Sequence, residues 1–539
     1  MTHKLSPAHA AIALAIAAFL ILFLLVPVAT VIHVAFTNSD GSLTFSHFGS
    51  FFSLTLMRES FYNSLYVGGM SVLISSLISL PLAYFTMRFR FRGAVLVQTL
   101  GVLPLIMPPF VGAVAMQLLF GRNGTVNLLL DEWFDFKIPF MEGLNGVIFV
   151  EALHYFPFIL INLSAALANI DRAMEEAAQN MGCSGFRLFR RIVFPLAMPG
   201  YVAGASLVFV KVFDDLATPL LLNAKDLLAP QAYLRVTSIG IADPMGYVIS
   251  VVLIVGSIAA VWLSNLALKG KDYATTQRGG GGLSRRTLKP WESVVAYGVV
   301  IAILLLVLAP HLGLLILSLA TVWSFSPLPD AYTVAHYARV FGESSLYIKN
   351  TLIYAALAGA IDVVIGTAIA YLVLRTRLIG RHWLDWTAMA ALAIPGVVLG
   401  IGYLRTFYGV TLPDGMPLAA LWIMIVLALA VRRLPYALRA CHAALQQISV
   451  SVEEAAENLG ATKARAVRRV VVPLMTGGLL AGFVTSFSTA AVELSATLML
   501  VQSNSDAPLA YGLYVFMQSA AGRGPGAALG VIAVVFVAV

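Results

Sequence analysis

Six apolar runs of about 20 residues or more fill the first half of the sequence, near 9–36, 61–87, 95–120, 145–170, 196–222 and 245–268. A second set lies near 293–320, 349–374, 383–408, 416–440 and 474–501, and a last run begins near Gly524. Crossing ~30 Å of hydrocarbon takes about 20 helical residues. Lipid offers no partner to backbone N–H and C=O groups, so each crossing segment must close its own hydrogen bonds. We expect an all-α, polytopic membrane protein. Composition excludes the soluble alternative: 60% of the residues are hydrophobic and 11% charged, where a soluble domain is about a quarter charged. The N-terminal run is too long for a signal-peptide core and lacks a clear small-residue cleavage site, so it reads as the first membrane helix. The last run stops at Val539, still apolar. We expect a helix cut short there, an expectation that an intact mass of 57.7 kDa for the native gene product would remove.

The runs repeat. Asn63-Ser64 parallels Asn350-Thr351, Ala83-Tyr84 parallels Ala370-Tyr371, and Pro108 parallels Pro395, all at an offset of 287. After the third run the offset becomes 278, carried by Pro157 against Pro435. The second half has therefore lost nine residues, most simply from 121–145. A tandem duplication with about six helices per half is expected: a first repeat over 1–268, a polar linker over 269–292 and a second repeat over 293–539. The linker carries R-G-G-G-G-L-S-R-R. Four glycines among basic residues make a flexible connection, and no Gly-Lys-Ser/Thr comes after them to make it a phosphate cradle.

The most informative repeated stretch is polar. Residues 175–195 read E-E-A-A-Q-N-M-G-C-S-G-F-R-L-F-R-R-I-V-F-P, and 453–473 read E-E-A-A-E-N-L-G-A-T-K-A-R-A-V-R-R-V-V-V-P. Glu175, Glu176, Ala177 and Ala178 open a short helix, as Glu453, Glu454, Ala455 and Ala456 do, with acids at its positive end. Gly182 and Gly460 permit a sharp turn. A second, basic helix comes next, with Phe186, Phe189 and Ile192 along its apolar side. Pro195 and Pro473 then stand where the next span can begin. The spacing E-A-A, three residues, Gly, nine residues, Ile or Val, two residues, Pro resembles the EAA loop of type-I ABC importer permeases. The bland reading, an amphipathic loop between membrane helices, does not account for a second copy.

That resemblance covers nearly the whole chain. It implies the permease subunit of an ATP-binding-cassette importer, with both transmembrane halves in one polypeptide. It implies two cytoplasmic ATPase subunits, one on each loop, and a periplasmic solute-binding protein on the other face. ATP would be bound and hydrolysed by those partners, so neither a cofactor nor enzymatic activity is expected of this chain. The implied mechanism is alternating access, moving a small solute from periplasm to cytoplasm. Fused two-repeat permeases of this length resemble the importers of ferric iron and their relatives for thiamine and phosphonates. The stretches 211–219 and 228–235 most resemble permeases for 2-aminoethylphosphonate, with Lys211 or Arg235 as candidate partners of an anionic group; a structural ion pair and an outer-loop charge explain those two residues equally well.

Orientation follows from the basic residues. Arg88, Arg90 and Arg92, their counterparts Arg375, Arg377 and Arg381, both repeated loops and the linker fall on one side if the spans alternate. The opposite segment 121–145 carries Asp131, Glu132, Asp135 and Glu142. The basic side is expected to be cytoplasmic, with both termini there, in a bacterial inner membrane. The bilayer is the expected surrounding, and no nucleic-acid partner is expected.

Several ionisable groups lie inside apolar runs, where they are costly and tend to face a bundle interior or a wet cavity. Lys211, Asp214 and Asp215 come after the first loop, and Glu493 aligns with Asp215 at the 278 offset. These four are candidates for a translocation path or gate. The structural alternative is that Lys211 and its neighbouring acids neutralise one another and lock helices. His154 and Asp362 lie in other spans and read as structural. Prolines and glycines cluster in the third run of each half: Pro104, Pro108, Pro109 and Gly112, then Pro395, Gly396 and Gly400. They break helices that line an opening route, or else allow close packing. Cys183 and Cys441 offer no disulfide framework, and no metal site is expected. The rival from another class is a secondary transporter that uses Asp215 and Glu493 as ion sites, though it has no need of the doubled loop.

Overall fold

The computed structural model describes residues 7–90, 92–269 and 286–538. Most of the expected linker, 270–285, lies outside the described residues. In chain order the helices that matter here begin with α1 (Pro7–Ala35), α2 (Thr55–Arg88), α3 (Ala94–Ile106), α4 (Pro109–Phe120) and α5 (Gly143–Ala168). Next come α6 (Arg172–Asn180), α7 (Gly185–Asp214), α8 (Ala217–Leu221) and α9 (Pro244–Leu268). The second half brings α10 (Pro290–Leu319), α11 (Ser345–Arg375), α12 (Arg381–Ala393), α13 (Gly396–Phe407) and α14 (Trp422–Gln446). It closes with α15 (Val450–Asn458), α16 (Lys463–Leu474), α17 (Thr476–Ala491), α18 (Ser495–Leu500) and α19 (Arg523–Ala538). The only ladder among the described residues is a two-residue parallel pairing of Phe89–Arg90 with Arg286–Thr287. The chain is an all-α, polytopic membrane protein. Among the described residues, seven helices are long and apolar enough to cross a bilayer, and three helix pairs bent at a short break bring the number to as many as ten.

Both third runs break where the prolines stand. Ala94–Ile106 and Pro109–Phe134 meet at 103°, and α12 and α13 meet at 110°. Proline pushes the residue before it out of the helical region, and Met107 and Ile394 sit at ψ 133° and 118°. The predicted kink is thus a full change of direction.

The chain divides into two compact units. One comprises Ser53–Gln231, Val255–Val340 and Leu513–Val539. Its centre is α2, α5 and α7, packed on one another, while α10 packs on α4 and α19. Serines on α2 tie it to α5: Ser75 donates to the Ala152 carbonyl at 3.2 Å and Ser79 to that of Phe156 at 2.8 Å. Small hydroxyl residues let membrane helices approach closely and satisfy themselves across the contact.

The other unit comprises Met1–Phe52, Ala232–Ile254 and Phe341–Gly512. Its centre is α11, α14 and α17, the counterparts of α2, α5 and α7, and α1 packs on α12 and α13. Each unit thus contains the opening helix of the other repeat. The approach of α1 to α13 is close: Tyr403 donates to the Phe23 carbonyl at 2.8 Å, and a Cβ on Gly402 would lie 2.8 Å from the Pro27 carbonyl oxygen.

The paired residues of the repeat do the same work twice. Asn63 Nδ2 donates to Asp226 Oδ2 at 2.8 Å, and Ser64 accepts from the Leu228 N–H at 2.9 Å. Asn350 Nδ2 donates to the Ser505 carbonyl at 2.8 Å, and Thr351 accepts from the Leu509 N–H at 2.6 Å. In each case a helix pins the segment that comes after the fifth span of its own repeat.

Candidate functional site

The two polar loops are built by the same bonds. Asp171 accepts from the Ala173 N–H at 2.9 Å and caps α6; Ser449 accepts from the Ser451 N–H at 3.3 Å and caps α15. At the far end Gly182 donates to the Gln179 carbonyl at 2.9 Å and Cys183 to that of Ala178 at 3.0 Å. The second copy repeats this with Gly460 to Glu457 at 2.9 Å and Ala461 to Ala456 at 3.0 Å. Gly182 and Gly460 have φ of +83° and +88°, and a Cβ on either would meet nothing within 4 Å. Glycine is needed there for its left-handed backbone, which a side chain resists.

The paired acids divide by helical phase. Glu175 is fully buried and pairs with the guanidinium of Arg88, the last residue of α2. Glu453 is buried and accepts from Arg375 Nε at 2.6 Å and Tyr371 Oη at 3.2 Å. Arg375 also donates to the Ile448 carbonyl at 2.6 Å, so one side chain joins the ends of α11 and α14 to α15. Glu176 and Glu454 are exposed, as are Ala177 and Ala455, while Ala178 is buried and Ala456 half-buried. At the tip of each loop stands an apolar residue in the open: Met181 is 81% exposed and Leu459 90%.

Beyond the turn the chain departs from expectation. The predicted short second helix in the first copy is the start of a continuous span, α7, of 30 residues. Pro195 and Pro473 therefore lie inside helices rather than at the mouth of a new one. Directly before each, Phe189–Val193 and Val467–Val471 widen into a π turn. That widening accommodates a residue with no N–H to give. In the second copy α16 and α17 bend by 70°.

The fifth span also ends earlier than expected. α7 stops at Asp214, and Asp215, beyond its end at ψ 128°, accepts from the Thr218 N–H at 3.1 Å at the start of α8. Glu493 has the same place in the second repeat. It accepts from the N–H groups of Ala496 at 3.1 Å and Thr497 at 3.3 Å and pairs with Arg432. Both acids, expected within a helix, instead cap the helix on the far side of a break. Lys211 and Asp214 lie on the last turn of α7, with Asp214 buried and both engaged by neighbours. Asp362 accepts from Ser486 on α17, a bond between helices of one bundle. Arg235 pairs with Asp243 at 3.5 Å.

Three groups escaped the sequence reading. Glu151 on α5 is fully buried and faces Asp215 and Thr218. Arg432 stands 278 residues after His154 and supplies the cation for Glu493, with Arg433 beside it. The signal was available, since each is a charge within an apolar run. The halves differ here: the first places a second acid near Asp215, where the second places arginines around Glu493.

The sequence model of the family described as "binding-protein-dependent transport system inner membrane component" matches residues 71–273 and again 362–539. A ferric transport system permease protein of Actinobacillus pleuropneumoniae is 27% identical over 83% of this chain and 65% of its own length. The chain thus spans a little under two thirds of that relative. A probable ABC transporter permease protein of Sinorhizobium fredii is 25% identical over 90% of this chain and 87% of its own. A molybdenum transport system permease protein of Haemophilus influenzae is 36% identical over 26% of this chain and 63% of its own.

Proposed function

Since the chain belongs to the family of binding-protein-dependent transport system inner membrane components, we propose that it is the permease subunit of an ATP-binding-cassette importer. In this reading it hydrolyses no ATP itself. Two cytoplasmic ATPase subunits grip the two loops, and a solute-binding protein delivers cargo on the opposite face of a bacterial inner membrane. The observation that carries the reading is the doubling of the loop: two copies with the same hydrogen bonds, each anchored inward by Glu175 or Glu453, each presenting Met181 or Leu459 outward. Glu176 and Glu454 are the acids placed to meet a partner. The loops pass the partner's motion to the long helices because a half-buried arginine, Arg88 or Arg375, joins each to α2 or α11.

Ferric iron is the cargo we propose first. Its support is the ferric relative, which aligns with 83% of this chain. 2-Aminoethylphosphonate is the alternative, supported by the sequence at 211–219 and 228–235. Lys211, Asp214, Asp215 and Glu493 remain the proposed lining of a path or gate; the caps made by Asp215 and Glu493 fit breaks in helices that rearrange.

ATP-driven uptake into vesicles tests the reading. Gly182→Leu with Gly460→Leu is expected to abolish uptake of labelled ferric iron while the protein still inserts. Unchanged uptake would sink the coupling role. Uptake of labelled phosphonate in place of iron would keep the mechanism and change the cargo.

A further inference from the structure

The two repeats pack their basic helices differently. In the first, Phe186 and Phe189 lie against Tyr84, with ring centroids 6.2 and 4.7 Å away, and Phe194 meets Tyr201 at 5.5 Å. At the matching positions the second repeat has Ala464 and Val467 for the two phenylalanines and Leu479 for Tyr201. On the facing helix Thr367 replaces Leu80. The aromatic filling is gone, and nothing larger takes its place.

What it leaves is a cavity of about 620 Å³, walled by these residues of α11, α16 and α17 and by Ile12 of α1. That volume lies within the range of about 300–1,000 Å³ usual for small-molecule sites. The walls are almost wholly apolar, and Lys463 and the exposed Arg468 stand among the lining residues at the loop end. Lys463 also borders a small polar cleft with Glu454 and Glu457, so Arg468 carries more of the positive charge at this mouth. An apolar cavity of this kind does not hold water well. α1 and α11 are both long and apolar enough to cross the bilayer, so acyl chains are the apolar species at hand. Basic residues at the membrane end of a helix attract anionic headgroups.

We infer that this cavity is a binding site for one anionic phospholipid, its acyl chain between α1, α11 and α17 and its headgroup at Arg468 and Lys463. In the first repeat Phe186 and Phe189 occupy the corresponding positions beside Tyr84. A lipid here lies against the basic helix that continues the second loop, so the two halves meet the membrane unequally.

Native mass spectrometry of the full chain, titrated with phosphatidylglycerol or with phosphatidylcholine of the same acyl composition, tests this. The wild type should retain one phosphatidylglycerol at least about tenfold more tightly than phosphatidylcholine, as two basic residues at a headgroup suggest. Ala464→Phe with Val467→Phe, which restores the residues of the first repeat, should lose that lipid. Lys463→Gln with Arg468→Gln leaves the walls intact and should bring the two lipids to equal affinity, which keeps the inference testable if the filled variant does not fold. Equal retention of both lipids by the wild type would overturn it, as would undiminished binding by a folded filled variant.

Discussion

Glu175 and Glu176 are neighbours of the same chemistry, yet one is fully buried on an arginine and the other is exposed. Removing Arg88 would leave the Glu175 carboxylate buried without its cation, a change that costs about 3–5 kcal/mol where it has been measured. Arg88→Ala should therefore lower the unfolding midpoint in nanodiscs and abolish uptake. Exchange of the pair, Arg88→Glu with Glu175→Arg, should recover part of both, and a failure of the double variant to improve on Arg88→Ala would contradict the pairing. At the turn, Gly182→Ala puts a Cβ on a left-handed residue at about 1–2 kcal/mol while meeting no atom. It should be stable enough to purify and slower in uptake than the wild type. The motif announced this loop in the sequence, glycine included. The inward or outward sense of each acid was not legible, because it depends on the helical phase set by the Asp171 and Ser449 caps.

The third runs show where elements yield to local chemistry. Proline and glycine were visible as breakers in both, and the turns of 103° and 110° arise from extended residues before Pro108 and Pro395. Harder to foresee was the exchange of opening helices between repeats. An apolar helix carries no mark of which neighbour it prefers; the choice rests on close approaches such as that of Gly402 to Pro27. Gly402→Val should overpack that contact and destabilise by about 1–3 kcal/mol. Gly298→Ala on α10, where a Cβ meets nothing within 4 Å, should be neutral or gain up to about 1 kcal/mol from helix propensity. Thermal unfolding of the two variants side by side checks this, and equal midpoints would remove Gly402 from the packing. The fifth spans were read as single helices since Asp215 and Glu493 sit among apolar residues. Their carboxylates stop one helix and cap the next, a role that sequence pattern alone does not distinguish from an ion site.

For the molecule as a whole, duplication is the fact that reaches furthest. It was legible because the offsets hold through asparagines, prolines and glycines whose bonds recur in both halves, and the family match falls on both. The small-for-aromatic replacements that separate the second basic helix from the first are equally plain once the copies are aligned. Their consequence, an open cavity, needed the packing of α1 to be seen. We propose that each of the two equivalent loops is held by an ATPase subunit. Photocrosslinking from Met181 and from Leu459, one position at a time in native membranes, is the decisive experiment. Both positions should yield an adduct with the same nucleotide-binding protein, and the adducts should weaken when Gly182 or Gly460 is replaced by leucine. Adducts from neither position, or labelling of both by a reagent confined to the periplasm, would contradict it.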